Sequence, residues 1–167
     1  MQLFILDEHP EKVPRMLCDA HVRKMCLETA QILSGILFLR SIPLAAGIPR
    51  AYNCNHPVIR AVAGSDFKTA YTLTYNEALH GEYFYRFSKL HRYAALCPAY
   101  RIKLFPDGGE QELCPDWSFA RSFKDFIPRS SGLTASFREY YCYKKKIIAS
   151  WRYTARQMPD FLRDCPE

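Results

Sequence analysis

Between Arg15 and Leu39 apolar residues return with the 3.6-residue period of an α-helix, and the rest of the chain must pack around that stretch. Turning each residue by 100° places Cys18, Val22, Met25, Thr29, Ile32, Leu33 and Ile36 on one broad face, which is core. The same turns carry an unusual load of titratable groups. His21, Lys24, Glu28 and Gln31 form one row along a flank, at i, i+3, i+7 and i+10, while Asp19, Arg23 and Ala30 lie on the other flank.

Ahead of this helix, Gln2 to Leu6 reads as a short extended apolar segment, with Pro14 suited to a first helical turn. Beyond the loop at Ser41–Gly47, Asn55 reads as an N-cap and Pro57 as an early residue of a short helix, Val58 to Ala63, that stops at Gly64. Ser65 caps a second long helix over Asp66 to Ala95, with Phe67, Ala70, Leu73, Ala78, Tyr85 and Phe87 as its core set. Cys97-Pro98 ends it. Asp107-Gly108-Gly109 predicts a hairpin turn between short strands at Arg101–Phe105 and Gln111–Leu113. A last helix runs from Thr134 to about Ser150. The expected fold is mainly α: one compact single-domain helical fold over residues 1–167, with a minor extended or hairpin component.

Charge is distributed unevenly. From Trp117 onward there are ten Lys and Arg against five Asp and Glu, and residues 134–158 alternate bases with planar rings. Basic residues interleaved with aromatics suit phosphate contact and base stacking, so the expected partner is nucleic acid, DNA before RNA, and not a membrane. The longest apolar run is broken by Ser34, Arg40 and Pro43, which excludes a spanning segment, and no export signal is seen. Seven cysteines without a Cys-x-x-Cys pair favour reduced thiols and a cytoplasmic setting. Cys54 and His56 have no second pair at ligand spacing, so neither a metal nor another cofactor is expected.

The row His21, Lys24 and Glu28 offers an imidazole, an amine and a carboxylate on adjacent turns, the ingredients of acid–base or imine chemistry. The competing reading is an ordinary Lys24–Glu28 pair at i,i+4 beside a half-buried histidine. Asp19 and Arg23 make a second i,i+4 pair. Glu82, Arg86, Lys89 and nearby His91 form a polar row that is either solvated or DNA-facing. Asn55, His56 and Arg60 cluster at a helix start, and Arg138, Lys144, Lys145 and Arg152 belong to the basic aromatic tail.

Tyr52-x-x-Asn55-His56-Pro57, followed by the Glu82-Tyr-Phe-Tyr-Arg86-Phe-x-Lys89 segment, resembles the pyrimidine-dimer DNA glycosylase family, the phage endonuclease V type. The first helix is similar to small phage-encoded proteins reading Cys-Asp-x-His-Val-x-Lys-Met. The resemblance covers residues 1 to 91 in order and implies a compact helical fold that flips a nucleotide. It also implies an α-amine that attacks the sugar C1′, a supporting glutamate on the first helix, and arginines and a histidine on DNA. An α-amine is a sensible nucleophile, because a pKa of roughly 7.7–8.0 leaves an appreciable unprotonated fraction near neutrality.

Two features depart from that pattern. Gln2 is too bulky for routine removal of Met1, so the amine is that of Met1 or the role passes to Lys24. Glu28 and Asp19 both fit the family's carboxylate. The expected function is therefore a glycosylase or lyase acting on a damaged or modified base. The alternatives are a phage-type nucleobase- or nucleotide-modifying enzyme without strand cleavage, and a non-catalytic nucleic-acid-binding protein.

Overall fold

A computed structural model describes residues 2–44, 46–108, 115–121, 123–148, 150–163 and 165. Six α-helices carry the described chain: α1 (Val13–Met16), α2 (Asp19–Leu39), α3 (Pro57–Ala63), α4 (Asp66–Phe87), α5 (Cys97–Leu104) and α6 (Leu133–Ile147). The protein is mainly α, with no strand among the described residues. No helix is long and apolar enough to cross a membrane among those residues.

Helix α2 is the centre. Its apolar face is buried from Val22 to Leu37, and α3 and α4 pack across it. Gly35 permits the closest approach, since a Cβ there would meet Ile59 Cγ2 at 2.8 Å. The expected helix from Arg15 is two helices, because Leu17 and Cys18 are extended, with Cys18 at φ −68° and ψ 162°. No glycine or proline marks that break, and the one Asx residue beside it, Asp19, is already the first residue of α2. Long-range partners hold it, as the Cys18 N–H donates to Tyr141 Oη at 2.9 Å and the α1 carbonyls are met by Arg86.

Leu3 to Leu6 are all buried, and this segment forms no strand. Side chains satisfy this backbone: Gln2 N–H donates to Glu28 Oε2 at 3.3 Å, and Arg138 Nε donates to the Leu6 carbonyl at 2.9 Å. Apolar contacts with α6 complete the anchoring, Phe4 lying 5.0 Å from Tyr141 between ring centroids.

Ser65 caps α4 as expected, its Oγ accepting from Lys68 N–H, but α4 ends at Phe87, where Ser88 turns left-handed at φ 50°. Its buried face includes Thr72, Tyr75, Asn76, Leu79, Glu82 and Arg86, so it is far more polar than its sequence pattern suggests, and Tyr85 is exposed. Cys97-Pro98 starts a helix instead of ending one. Pro98 occupies the first turn of α5, and Cys97, Tyr100 and Leu104 are buried at helical spacing where a strand was expected at 101–105. The other expected strand, Gln111–Leu113, lies outside the described residues. His56, not Asn55, caps α3: its Nδ1 accepts from Val58 N–H at 3.2 Å.

One thiol expectation is overturned. Cys142 on α6 is disulfide-bonded to Cys165, which the chain brings back alongside after Phe161, while Cys18, Cys26, Cys54 and Cys97 are free. A separation of 23 residues carries no local signature that could have marked the pair.

Candidate functional site

The titratable groups of α2 divide into a closed network and an open cleft. Asp19 stands at the start of α2, where a carboxylate complements the helix dipole. It does not pair with Arg23. Arg86 Nη1 reaches Asp19 Oδ1 at 3.0 Å, and Thr154 supplies Oγ1–H to Oδ2 at 2.6 Å and N–H to Oδ1 at 3.0 Å. Arg86 spends all five donors inside the protein. Nε goes to Glu82 Oε1 at 2.7 Å, and the two amino groups reach the carbonyls of Pro14, Arg15 and Leu17 as well as Asp19. Arg156 completes the set with a bidentate pair to Glu82, at 2.9 and 2.8 Å.

Two carboxylates are thus balanced by two guanidinium groups. Burial raises the pKa of Asp19 and of Glu82, but the hydrogen bonds and cations outweigh it, and both carboxyls end below their ordinary values. The Arg86 side chain is wholly buried, so a ligand arriving from solvent cannot reach it. This network fastens α1, α2, α4 and the segment around Thr154 together.

His21, Lys24 and Glu28 share a different setting. They line one cleft of about 370 Å³ with Gln2, Phe4, Met25, Lys124, Tyr140, Lys144, Ile147 and Ile148. That volume falls among those of small-molecule sites, roughly 300–1,000 Å³. Glu28 is held from two sides, by Lys24 Nζ at 3.2 Å and by the Gln2 main-chain N–H at 3.3 Å. Its side chain keeps 13% of its exposure while that of Lys24 keeps 65%, so the acid is at the floor and the amine at the mouth. Three lysines line the cleft against one carboxylate, which leaves its lining net positive.

His21 lies deeper. Tyr141 Oη accepts from the Cys18 N–H and stands 2.8 Å from His21 Nδ1. The arrangement that satisfies every group sends the tyrosine proton to Nδ1 and leaves the imidazole proton on Nε2. Burial, and then the ammonium groups of Lys24 and Lys144, push the His21 pKa down to about 4, so the ring is neutral at pH 7. It can donate or take a single proton but does not act as a standing cation.

The remaining candidates are dispersed. His56 caps α3 outside the cleft lining; burial is the main cause that lowers its pKa, and Glu28 partly offsets it. Arg138 braces Leu6 and Asp7, and Lys145 donates to the Leu162 carbonyl at 2.9 Å. Arg23 is exposed, with its guanidinium 4.3 Å from the Phe87 ring centroid. Asn55, Arg60, Lys89 and Arg152 are exposed, Arg152 also accepting the Asp19 N–H at its carbonyl. His91 stacks near His80, away from the lining of the cleft. Met1 lies outside the described residues. Lys124 and Gln2 are cleft residues that sequence reasoning missed. Lys124 arrives from an irregular loop whose placement no local pattern encodes.

A second hollow of about 400 Å³ lies beside the disulfide, between Phe126, Ile127, Tyr143 and Phe161. Its one carboxylate, Glu139, accepts from the Arg129 and Ser130 N–H groups and is committed to that loop. Comparison of the chain with protein-family models, curated proteins and solved structures finds no match.

Proposed function

We propose that the cleft of His21, Lys24 and Glu28 is the active site of a nucleic-acid-processing enzyme of the glycosylase and AP-lyase type, acting on a damaged or modified base in DNA. The observation that supports this is the position of Glu28: a carboxylate at the floor of a basic cleft, bonded to Lys24 Nζ at 3.2 Å and to the N-terminal segment at Gln2. Imine chemistry needs an amine and a carboxylate side by side, and a flipped nucleotide needs cations for its phosphates. Asp19, the other acid considered, is consumed by Arg86 and Thr154.

In this scheme Lys24, or the α-amine of Met1, attacks C1′. The nitrogen–carbon bond forms as the glycosidic bond breaks, and the base leaves with a proton. The sugar ring opens to an iminium as O4′ is protonated. Glu28 carries protons between amine, ring oxygen and solvent, and the neutral His21 positions the leaving side through Nε2–H. Lys124 and Lys144, which line the cleft, hold the flanking phosphates.

Borohydride reduction with abasic or dimer-containing duplex tests this. A trapped covalent adduct is expected with the native chain and is lost in Glu28→Gln. If Lys24→Ala retains the adduct, the α-amine is the nucleophile. Absence of any adduct while salt-sensitive DNA binding persists contradicts the scheme, and nucleoside mass spectrometry then distinguishes base modification from plain binding.

A further inference from the structure

We propose that Cys26, His80 and His91 form a binding site for a divalent transition-metal ion of the zinc class, with three protein ligands and an open fourth position. The proposal is independent of the nucleic-acid reading. Cys26 comes from α2, His80 from α4, and His91 from the segment after the left-handed Ser88. One ligating atom from each lies within 4.8 Å of the other two.

His80 supplies the second observation. It is 6% exposed, and neither ring nitrogen has a hydrogen-bond partner. Buried polar atoms are nearly always paired, because one left bare gives up its hydration with nothing in return. A thiol and an imidazole from two other elements stand beside this ring, yet neither satisfies it. The Cys26 thiol has only a long 3.9 Å contact, to the Leu79 carbonyl. An ion gives His80 the partner that the protein does not, and replaces the long contacts of Cys26 and His91 with ligand bonds.

The donor set selects the metal. One thiolate and two imidazoles suit zinc or cobalt and are wrong for magnesium or calcium, which take oxygen ligands. With metal–sulfur and metal–nitrogen bonds of about 2.3 and 2.0 Å, tetrahedral ligand atoms stand roughly 3.3–3.6 Å apart. Pairs at the 4.8 Å limit must therefore close by about 1.2–1.5 Å. His91 can provide that movement, being half-buried on a non-helical segment, whereas Cys26 and His80 are fixed in helices.

Two small adjustments accompany binding. As sulfur bonds to the ion, the Cys26 thiol proton leaves to solvent. His91 also gives up the 3.4 Å bond that its Nδ1 accepts from Tyr93 N–H, whichever ring nitrogen ligates. Sequence spacing could not reveal the site, since its ligands stand at positions 26, 80 and 91 and include no close cysteine–histidine pair. The ion would join α4 to α2 and pin the chain just after α4 ends.

The test uses the full chain, freed of metal with a chelator and titrated with Co²⁺ and then Zn²⁺. One equivalent of Co²⁺ should bind, giving a thiolate-to-cobalt absorption band and the intense visible bands of tetrahedral coordination. Zn²⁺ should displace it and raise Tm. Cys26→Ser should abolish the charge-transfer band, and His91→Ala should weaken binding by about tenfold or more. His91 is half-buried, so His91→Ala keeps the test decisive if Cys26→Ser does not fold. Failure to bind one saturating equivalent overturns the proposal. So does a charge-transfer band that survives Cys26→Ser, or an affinity unchanged by His91→Ala.

Discussion

Asp19 and Glu28 stand nine residues apart on one helix, and the protein has treated them in opposite ways. Asp19 is enclosed by Arg86 and Thr154, and through Arg86 it is tied to Glu82 and Arg156, so every donor and acceptor has a protein partner. Glu28 has partners on two sides and opens onto the cleft, which Lys24, Lys124 and Lys144 also line. The first arrangement is complete and can only hold the fold. The second has unused positive charge and an approachable carboxylate, and can do chemistry. Titratable density alone did not separate them. The difference lies in whether a second element delivers partners that close the cluster.

Breaking the closed network should have the largest effect. Arg86→Ala leaves Asp19 with only Thr154 and Glu82 with only Arg156, and releases three carbonyls, and a loss of about 3–5 kcal/mol is expected, readable by denaturant unfolding. Glu28→Gln keeps its size and its acceptor oxygen, so a change of about 1 kcal/mol or less is expected. Equal losses in the two variants would erase the distinction.

Acid should separate the two regions by pH. His21 has a folded pKa of about 4 against an ordinary 6.5, so the unfolded chain binds its proton first. Stability therefore falls as pH drops from about 6.5 to 4, by on the order of 3 kcal/mol for a ring so little exposed. Asp19 and Glu82 have lowered pKa values. Their stabilisation is present above the ordinary carboxylate pKa and disappears only as pH falls further, through the folded values. Unfolding measured from pH 7 to 3 should show the earlier decline shrink in His21→Gln, with a remainder from His80, whose pKa burial also lowers to about 4, and the later decline unchanged.

The open cleft should be sharpened by salt. If Lys124 and Lys144 contact phosphates, each alanine variant should lower the slope of log K against log salt by about 0.9 in duplex titrations, with Tm nearly unchanged. Arg23→Ala is the smallest test. Loss of its stacking on Phe87 should cost about 0.5–1 kcal/mol, since the guanidinium is exposed.

What could be read from the sequence follows the range of the forces involved. The buried face of α2, the Ser65 cap and the stop at Gly64 depend on neighbours within a few residues, and the structure reproduces them. The convergence of His21, Lys24 and Glu28 also follows from helical rotation alone. The split at Leu17–Cys18 was not legible, because Tyr141 and Arg86 impose it from 123 and 69 residues away. For the same reason Asp19 was assigned to Arg23, its local neighbour, when Arg86 outcompetes it. The buried polar face of α4 misled the periodicity, since Thr72, Asn76 and Glu82 look solvent-facing until their partners are known.

The account turns on Glu28 being functional where Asp19 is structural. Borohydride trapping on abasic duplex, run with Tm on the same Glu28→Gln and Asp19→Asn samples, tests this most directly. Glu28→Gln should keep its Tm and lose the adduct, while Asp19→Asn should lose Tm and retain the adduct in proportion to its folded fraction. Undiminished trapping in Glu28→Gln, or its specific loss in a fully folded Asp19→Asn, would contradict the account.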